Sequence, residues 1–214
     1  MAETGSVRGQ TPDVAGEAAA AIRAGQVVVL PTDTVYGLCA DPHREEPYRR
    51  LCRLKGRPAT MPAALLAADL DAILDAVPEA RGRVAVAARK LLPGPYTLVL
   101  PNPARRFRWL CGETPVTIGI RVPELPPETL AVLGRVGLVV ATSANLHGRP
   151  DPARVDAIPP EILTGVGAVV DAGPLPGTPS TVVDLTGPEP KVLREGAVPA
   201  GEAVSAASRA LAPR

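Results

Sequence analysis

Apolar residues fall in short runs, separated by Gly/Pro loops and by stretches with helical spacing. "QVVVL" at 26–30 is β-branched and continuous instead of alternating, which suits a strand covered on both faces. Before it, Thr11-Pro12 opens a helix through "EAAAAIRAG", with Gly25 as its stop. In "EEPYRRLCRL" at 45–54, Tyr48, Leu51 and Cys52 share one helix face, and the helix delivers "KGRP" at its exit. "DLDAILDAV" and "EARGRVAVAARKLL" read as helices, "PAALLA" as a short strand, and "PYTLVL" as a strand after the stop signal Pro93-Gly94-Pro95. Strands are then expected at 116–122, 137–143, 167–173, 180–185 and 191–193, and "GEAVSAASRALAPR" as a weakly amphipathic last helix.

About seven or eight strands, some joined by helices and others by short loops, predict an α/β fold with a mixed parallel and antiparallel sheet and flanking helices. With 214 residues and no repeat, heptad or low-complexity linker, one domain is expected. The expected division is an extension at 1–13, a catalytic domain at 14–196 and a C-terminal helix or tail at 197–214.

Composition narrows the chemistry. A 46% apolar and 21% charged chain is globular, and a net charge of +1 gives no long-range field for nucleic acid or an anionic membrane, so any basic site must be local. Cys39, Cys52 and Cys111 form neither a CxxC pair nor an even framework, which points to a reducing, cytoplasmic home. No signal-like N-terminus and no run near the roughly 18 apolar residues of a membrane span are present. No residues have the spacing of a metal site.

Ligands of open α/β sheets gather where polar side chains leave the strands. Four segments do this: Thr32, Asp33 and Thr34 after "VVVL"; Thr117 and Arg121 in "VTIGIRVP"; Thr142, Ser143 and Asn145 after "LVVA"; and Ser180 and Thr181 before "VVDL". Each alone also fits a cap or a turn closure. Arg121, a cation in an apolar strand, is either exposed on an edge or paired with a carboxylate or phosphate. Lys55 and Arg57 form an anion clamp or merely complement a helix C-terminus, and Arg149 and Arg194 share that ambiguity. No GxxxxGK[ST] or GxGxxG loop is present, so side chains would hold a phosphate ligand; the absence of GxSxG argues against a serine hydrolase.

Together, "LPTDTVYGLCADP", "LKGRP", "PGPYTLVLP", "IGIRVP", "ATSANLHGRPDP", "STVVDL" and "VLREG", in this order, resemble the YrdC-like family of threonylcarbamoyl-AMP synthases over roughly residues 14–196. Its KxR and SxN elements correspond to Lys55, Arg57, Ser143 and Asn145. The resemblance implies a concave basic pocket that makes L-threonylcarbamoyl-AMP and pyrophosphate from L-threonine, bicarbonate and ATP. A downstream threonylcarbamoyl-transferase complex acting on adenosine 37 of tRNA would then use the product. It further implies Thr34, Arg121 and Ser180 at threonine, and Lys55, Arg57, Thr117, Ser143, Asn145, Arg149 and Arg194 at ATP. The KxR and SxN residues would be catalytic, with Mg2+ carried by the phosphates. Met61 and Leu66 stand where many members have Asn and His, and Cys39 where Gly is usual. The length corresponds to the family's short form.

Two other readings remain. A non-catalytic RNA- or tRNA-binding module of the same fold would use "ARRFRWL" at 104–110, against few aromatic platforms. A carbamoyltransferase domain of the hydrogenase-maturation type shares the fold but normally sits beside acylphosphatase and zinc-finger domains.

Overall fold

The computed structural model describes residues 13–212. Its elements are α1 (Val14–Arg23), β1 (Val28–Pro31), β2 (Tyr36–Ala40), α2 (Glu45–Lys55), β3 (Ala64–Ala67), α3 (Leu70–Ala76), α4 (Gly82–Leu91), β4 (Tyr96–Pro101) and β5 (Thr117–Arg121). They continue with α5 (Pro127–Val136), β6 (Leu138–Ser143), α6 (Pro160–Leu163), β7 (Ala168–Val169), β8 (Thr181–Asp184), β9 (Lys191–Arg194) and α7 (Ala200–Leu211). The strands form one sheet in the order β7-β1-β2-β6-β3-β5-β4-β8-β9. Its β1–β7, β3–β5 and β4–β8 pairs are parallel and the rest antiparallel, the mixed sheet expected from the connections.

Apolar strand positions feed two layers, because successive side chains point to opposite faces. On one face Val29, Leu38, Leu65, Leu98, Ile120 and Val140 pack under α2, α3, α4 and α7. On the other, Val28, Leu30, Cys39, Leu66 and Val139 pack under α1 and α5. The last helix is part of this fold: Ala203 and Ala207 are fully buried, and Lys90 Nζ donates to the Ala210 carbonyl at 3.2 Å.

Thr11-Pro12, expected to open the first helix, lies outside the described residues; within them Asp13 caps α1 by accepting from Gly16 N at 2.9 Å. Strand β2 was not expected, since "YGLCA" leaves a hydroxyl-rich loop and carries no alternation, yet all five residues are buried between β1 and β6. Helix α5, also unanticipated, starts on a proline at its first turn. The strand expected at 167–173 shrinks to two residues, followed by a loop that docks on Tyr36.

The face carrying α1 and α5 is covered at only one end of the strands. Toward the other end a lateral row of Ala141, Ala64 and Gly119 crosses the sheet, and a Cβ on Gly119 would already lie 3.4 Å from Ala64. These short side chains leave a concavity over the sheet.

Candidate active site

The concavity is a cavity of about 860 Å³ with Gly37, Ala64, Gly119 and Ala141 in its floor. It lies across the face of the sheet, so residues from strand middles and strand ends both reach it. Lys55, Arg57, Thr117, Arg121, Ser143, Asn145, Ser180 and Arg194 all line it. Two expected residues do not. Thr34 opens with Asp33 into a neighbouring cavity of about 410 Å³. The Arg149 side chain is exposed and outside the lining, and the residue contributes its carbonyl, which accepts from Asn145 Nδ2.

Lys55 ends α2, and Gly56 follows at φ +65°, where a Cβ would be strained. That turn sends the chain back so that Lys55 and Arg57 both enter the cavity. Lys55 is buried, 5% exposed. It donates to the carbonyls of Ser143 at 2.5 Å and Asn145 at 3.0 Å, to Ser143 Oγ at 3.2 Å and to Asn145 Oδ1. Ser143 Oγ in turn donates to Asn145 Oδ1 at 2.7 Å. Four oxygens share three N–H bonds, so the ammonium serves the 143–145 segment itself, as a clip that fixes both side chains. The fold thus brings Lys55 of the KxR element onto Ser143 and Asn145 of the SxN element through this direct grip.

Burial and the neighbouring Arg57 charge push Lys55 down to about 8, with Asp151 opposing. An unfolded lysine near 10.4 keeps its proton over the interval in which the folded one has lost it, so this group favours folding more as pH rises from about 8 toward 10. The clip works in the opposite direction, because only the ammonium can donate to four oxygens. Turnover is therefore expected to fall as pH rises through about 8 while the melting temperature does not fall with it, a pairing checked by a pH–rate profile beside thermal melts.

Arg57 reaches across the cavity, donating to Thr142 Oγ1 at 3.2 Å and to the Pro62 carbonyl at 2.7 Å. Arg121, on β5, pairs with Asp33, the two side chains being 11% and 12% exposed. Its Nη2 donates both to Asp33 Oδ1 and to Thr34 Oγ1, the latter at 2.6 Å. Burial raises the Asp33 carboxyl above its ordinary value despite the Arg121 charge, and burial also lowers Arg121. Thr32 does two jobs: its hydroxyl closes the turn on the Val35 carbonyl at 2.7 Å, and the residue lines the cavity.

Arg57 Nε and Arg121 Nε are buried without a hydrogen-bond partner among the described residues. An unsatisfied buried donor costs about 1–3 kcal/mol, more when charged. Both belong to cations that line one cavity, which leaves unused donor capacity beside it.

At the far end Ser180 Oγ and Thr97 Oγ1 share a hydrogen bond at 2.8 Å, and Arg194 Nη2 donates to the Ser180 carbonyl at 2.8 Å. Tyr36 holds the surrounding loops. Its phenol donates to Asp171 Oδ1 at 2.7 Å and is 2.8 Å from the Gly173 carbonyl, its N–H donates to the Pro152 carbonyl at 2.9 Å, and its carbonyl accepts from Ala144 at 2.8 Å. Thr97, Thr142, Asp151 and Asp184 also line the cavity; of these, sequence reading had singled out only Thr142.

The Sua5–YciO–YrdC family, described as "Telomere recombination", matches residues 20–196. The threonylcarbamoyl-AMP synthase of Pyrococcus abyssi is 33% identical over 188 residues, 86% of this chain and 54% of that one. That of Stenotrophomonas maltophilia is 36% identical over 160 residues, 72% of this chain and 83% of that one. The crystal structure of P. abyssi Sua5 complexed with L-threonine superposes with TM-score 0.80 at 32% identity, covering 88% of this chain and 56% of that one. Escherichia coli YciO superposes with TM-score 0.76 at 29% identity, covering 86% and 89%. This chain thus spans little more than half of the P. abyssi protein. A full-length HypF structure, at 16% identity and TM-score 0.70, shares the fold.

Proposed function

The chain belongs to the Sua5–YciO–YrdC family, and from that premise we propose that its large cavity makes L-threonylcarbamoyl-AMP and pyrophosphate from L-threonine, bicarbonate and ATP. The observation that carries this reading is that Arg57 and Arg121, each with a buried Nε–H that has no partner, line one cavity together with Lys55 and Arg194. A reaction that joins a carboxylated amino acid to a triphosphate must bring anions together, and fixed cations offset their repulsion.

In this scheme Arg121 receives the threonine carboxylate. The neutral amine attacks CO2 formed by dehydration of bicarbonate. As the N–C bond forms the amine gives up a proton, which combines with the hydroxide lost from bicarbonate, so that the carbamate forms with release of one water. A carbamate oxygen attacks the α-phosphorus of ATP, the bond to the bridging oxygen breaks, and pyrophosphate leaves. Arg57 faces the phosphates and the carbamate, Lys55 holds Ser143 and Asn145 in position beside them, and Thr117 and Arg194 extend the nucleotide site. Ser180 lies at the threonine end with Thr97 behind it. Positioning and charge stabilisation carry such a transfer, so no covalent nucleophile is needed. Mg2+ belongs with the phosphates; among the described residues no cluster of three His, Cys, Asp or Glu side chains gathers to hold an ion. The product would pass to a tRNA-modifying transferase in the cytoplasm. Among the described residues no helix is long and apolar enough to cross a membrane.

The RNA-binding alternative is disfavoured by the loop meant to support it. Arg106 is paired with Glu79 at 2.7 and 2.8 Å, Trp109 Nε1 donates to the Pro42 carbonyl at 3.1 Å, and Phe107 packs against His43. Its aromatic side chains are therefore turned to internal contacts. The test of the synthase reading is pyrophosphate release from ATP and bicarbonate: it should depend on L-threonine and yield threonylcarbamoyl-AMP. Well-folded protein that releases pyrophosphate at the same rate with and without L-threonine would refute it.

A further inference from the structure

A carboxylate binds a guanidinium best through two parallel N–H bonds. Arg121 offers two edges for that, Nε with Nη2 and Nη1 with Nη2, so Nη2 belongs to both. Its two hydrogens are already taken, by Asp33 Oδ1 and Thr34 Oγ1, whereas Nε has no partner. Any ligand carboxylate gripped by two bonds must therefore take a hydrogen from one of these residues.

Charge decides which. An incoming carboxylate adds a second anion beside a cation that neutralises only one, and like charges at such a distance repel strongly in a buried setting. Thr34 is neutral, and its hydroxyl already has a second partner in Thr32 Oγ1 at 3.2 Å. Asp33 is the anion, and it borders the smaller cavity, which gives its carboxylate somewhere to go. In the empty site Asp33 also has a purpose, because a buried Arg121 without a counter-ion would be costly.

We propose that Asp33 is the resident counter-ion of Arg121, exchanged for the substrate carboxylate when the amino acid binds, and that it swings toward the smaller cavity. The other carboxylate of that cavity, Glu124, is solvent-exposed and so screened. The inference rests on the reading of Arg121 as the carboxylate site. Asp33 is thereby a specificity-determining residue. It taxes every anion that approaches Arg121, and only a ligand with further contacts in the large cavity overcomes the tax.

Calorimetry on the intact protein with L-threonine as titrant, and with ATP separately, tests the exchange. Asp33→Asn removes the competing charge and is expected to tighten L-threonine about tenfold while leaving ATP affinity unchanged, as removal of a competing state requires. Unchanged or weaker L-threonine binding by folded Asp33→Asn overturns the proposal; weaker binding would mean that Asp33 holds the amine. Thr34→Val should not tighten L-threonine, and if it alone does, Thr34 is the displaced group and the proposal fails. Crystals of the wild-type protein with and without L-threonine need no variant: the Asp33–Arg121 bond must be broken in the complex, and its survival there refutes the exchange. If wild-type protein binds no L-threonine, the functional reading itself is wrong, an outcome distinct from all of these.

Discussion

Replacing Arg121 with alanine is expected to raise the apparent KM for L-threonine by about 10²-fold or more, since truncating one member of a buried charge pair costs about 2–5 kcal/mol and each 1.4 kcal/mol is a factor of ten. The KM for ATP should move far less, because in the proposed scheme the guanidinium serves the amino acid's end of the cavity. The same substitution strands Asp33, a carboxylate 12% exposed, and removing one partner of a buried pair destabilises by about 3–5 kcal/mol. A fall in melting temperature thus accompanies the loss of activity and could be mistaken for its cause. The double variant Asp33→Ala with Arg121→Ala separates the two. With both charges gone the melting temperature should recover most of its loss, whereas the KM for L-threonine should stay high. Paired melts and KM determinations on the three variants check this, and recovery of KM in the double variant would contradict the assigned role.

Lys55→Met is expected to lower kcat by about 10²- to 10³-fold, the scale associated with losing positioned groups at a transferring phosphorus. Its effect on stability should be small by comparison. Removing a buried ammonium relieves its desolvation, while four oxygens of Ser143 and Asn145 lose a donor and regain part of it from water in the open cavity. These terms oppose each other, so melting should shift by only a few degrees either way. Lys55→Arg should not restore kcat: a planar fork cannot reproduce a compact ammonium radiating to oxygens on two residues. Single-turnover kinetics with thermal melts of both variants test the contrast, and an active Lys55→Arg protein would show that charge alone suffices.

What could be read in advance follows from how local each signal is. The strands with dense apolar runs announced themselves, and so did α2, whose buried Tyr48, Leu51 and Cys52 recur at helical spacing. Strand β2 escaped because burial on both faces erases alternation and its neighbours in sequence are polar. Of the cavity-lining residues, Lys55, Arg57, Ser143 and Asn145 were singled out by the resemblance to the family's KxR and SxN elements. Asp33 was left undecided between turn and pocket, because its partner lies 88 positions away on β5. Arg149 lies outside the cavity lining, and its contact with Asn145 is made through its carbonyl, which any residue type supplies. Cys39, where the family pattern has glycine, is buried in the apolar layer under α1 and α5, and burial pushes its thiol up to about 12, so it acts as a small apolar filler.

Tyr36 bonds at once to residues 144, 152, 171 and 173, and it is itself a fully buried residue in the middle region of the sheet. Loops around a site usually breathe one by one, at little free-energy cost. Here Ala144, Pro152 and the 171–173 loop are tethered to one core strand, so opening any one strains the others. Amide exchange in these loops is then expected to follow a shared, rarer opening event, because the chain itself ties the walls of the pocket together.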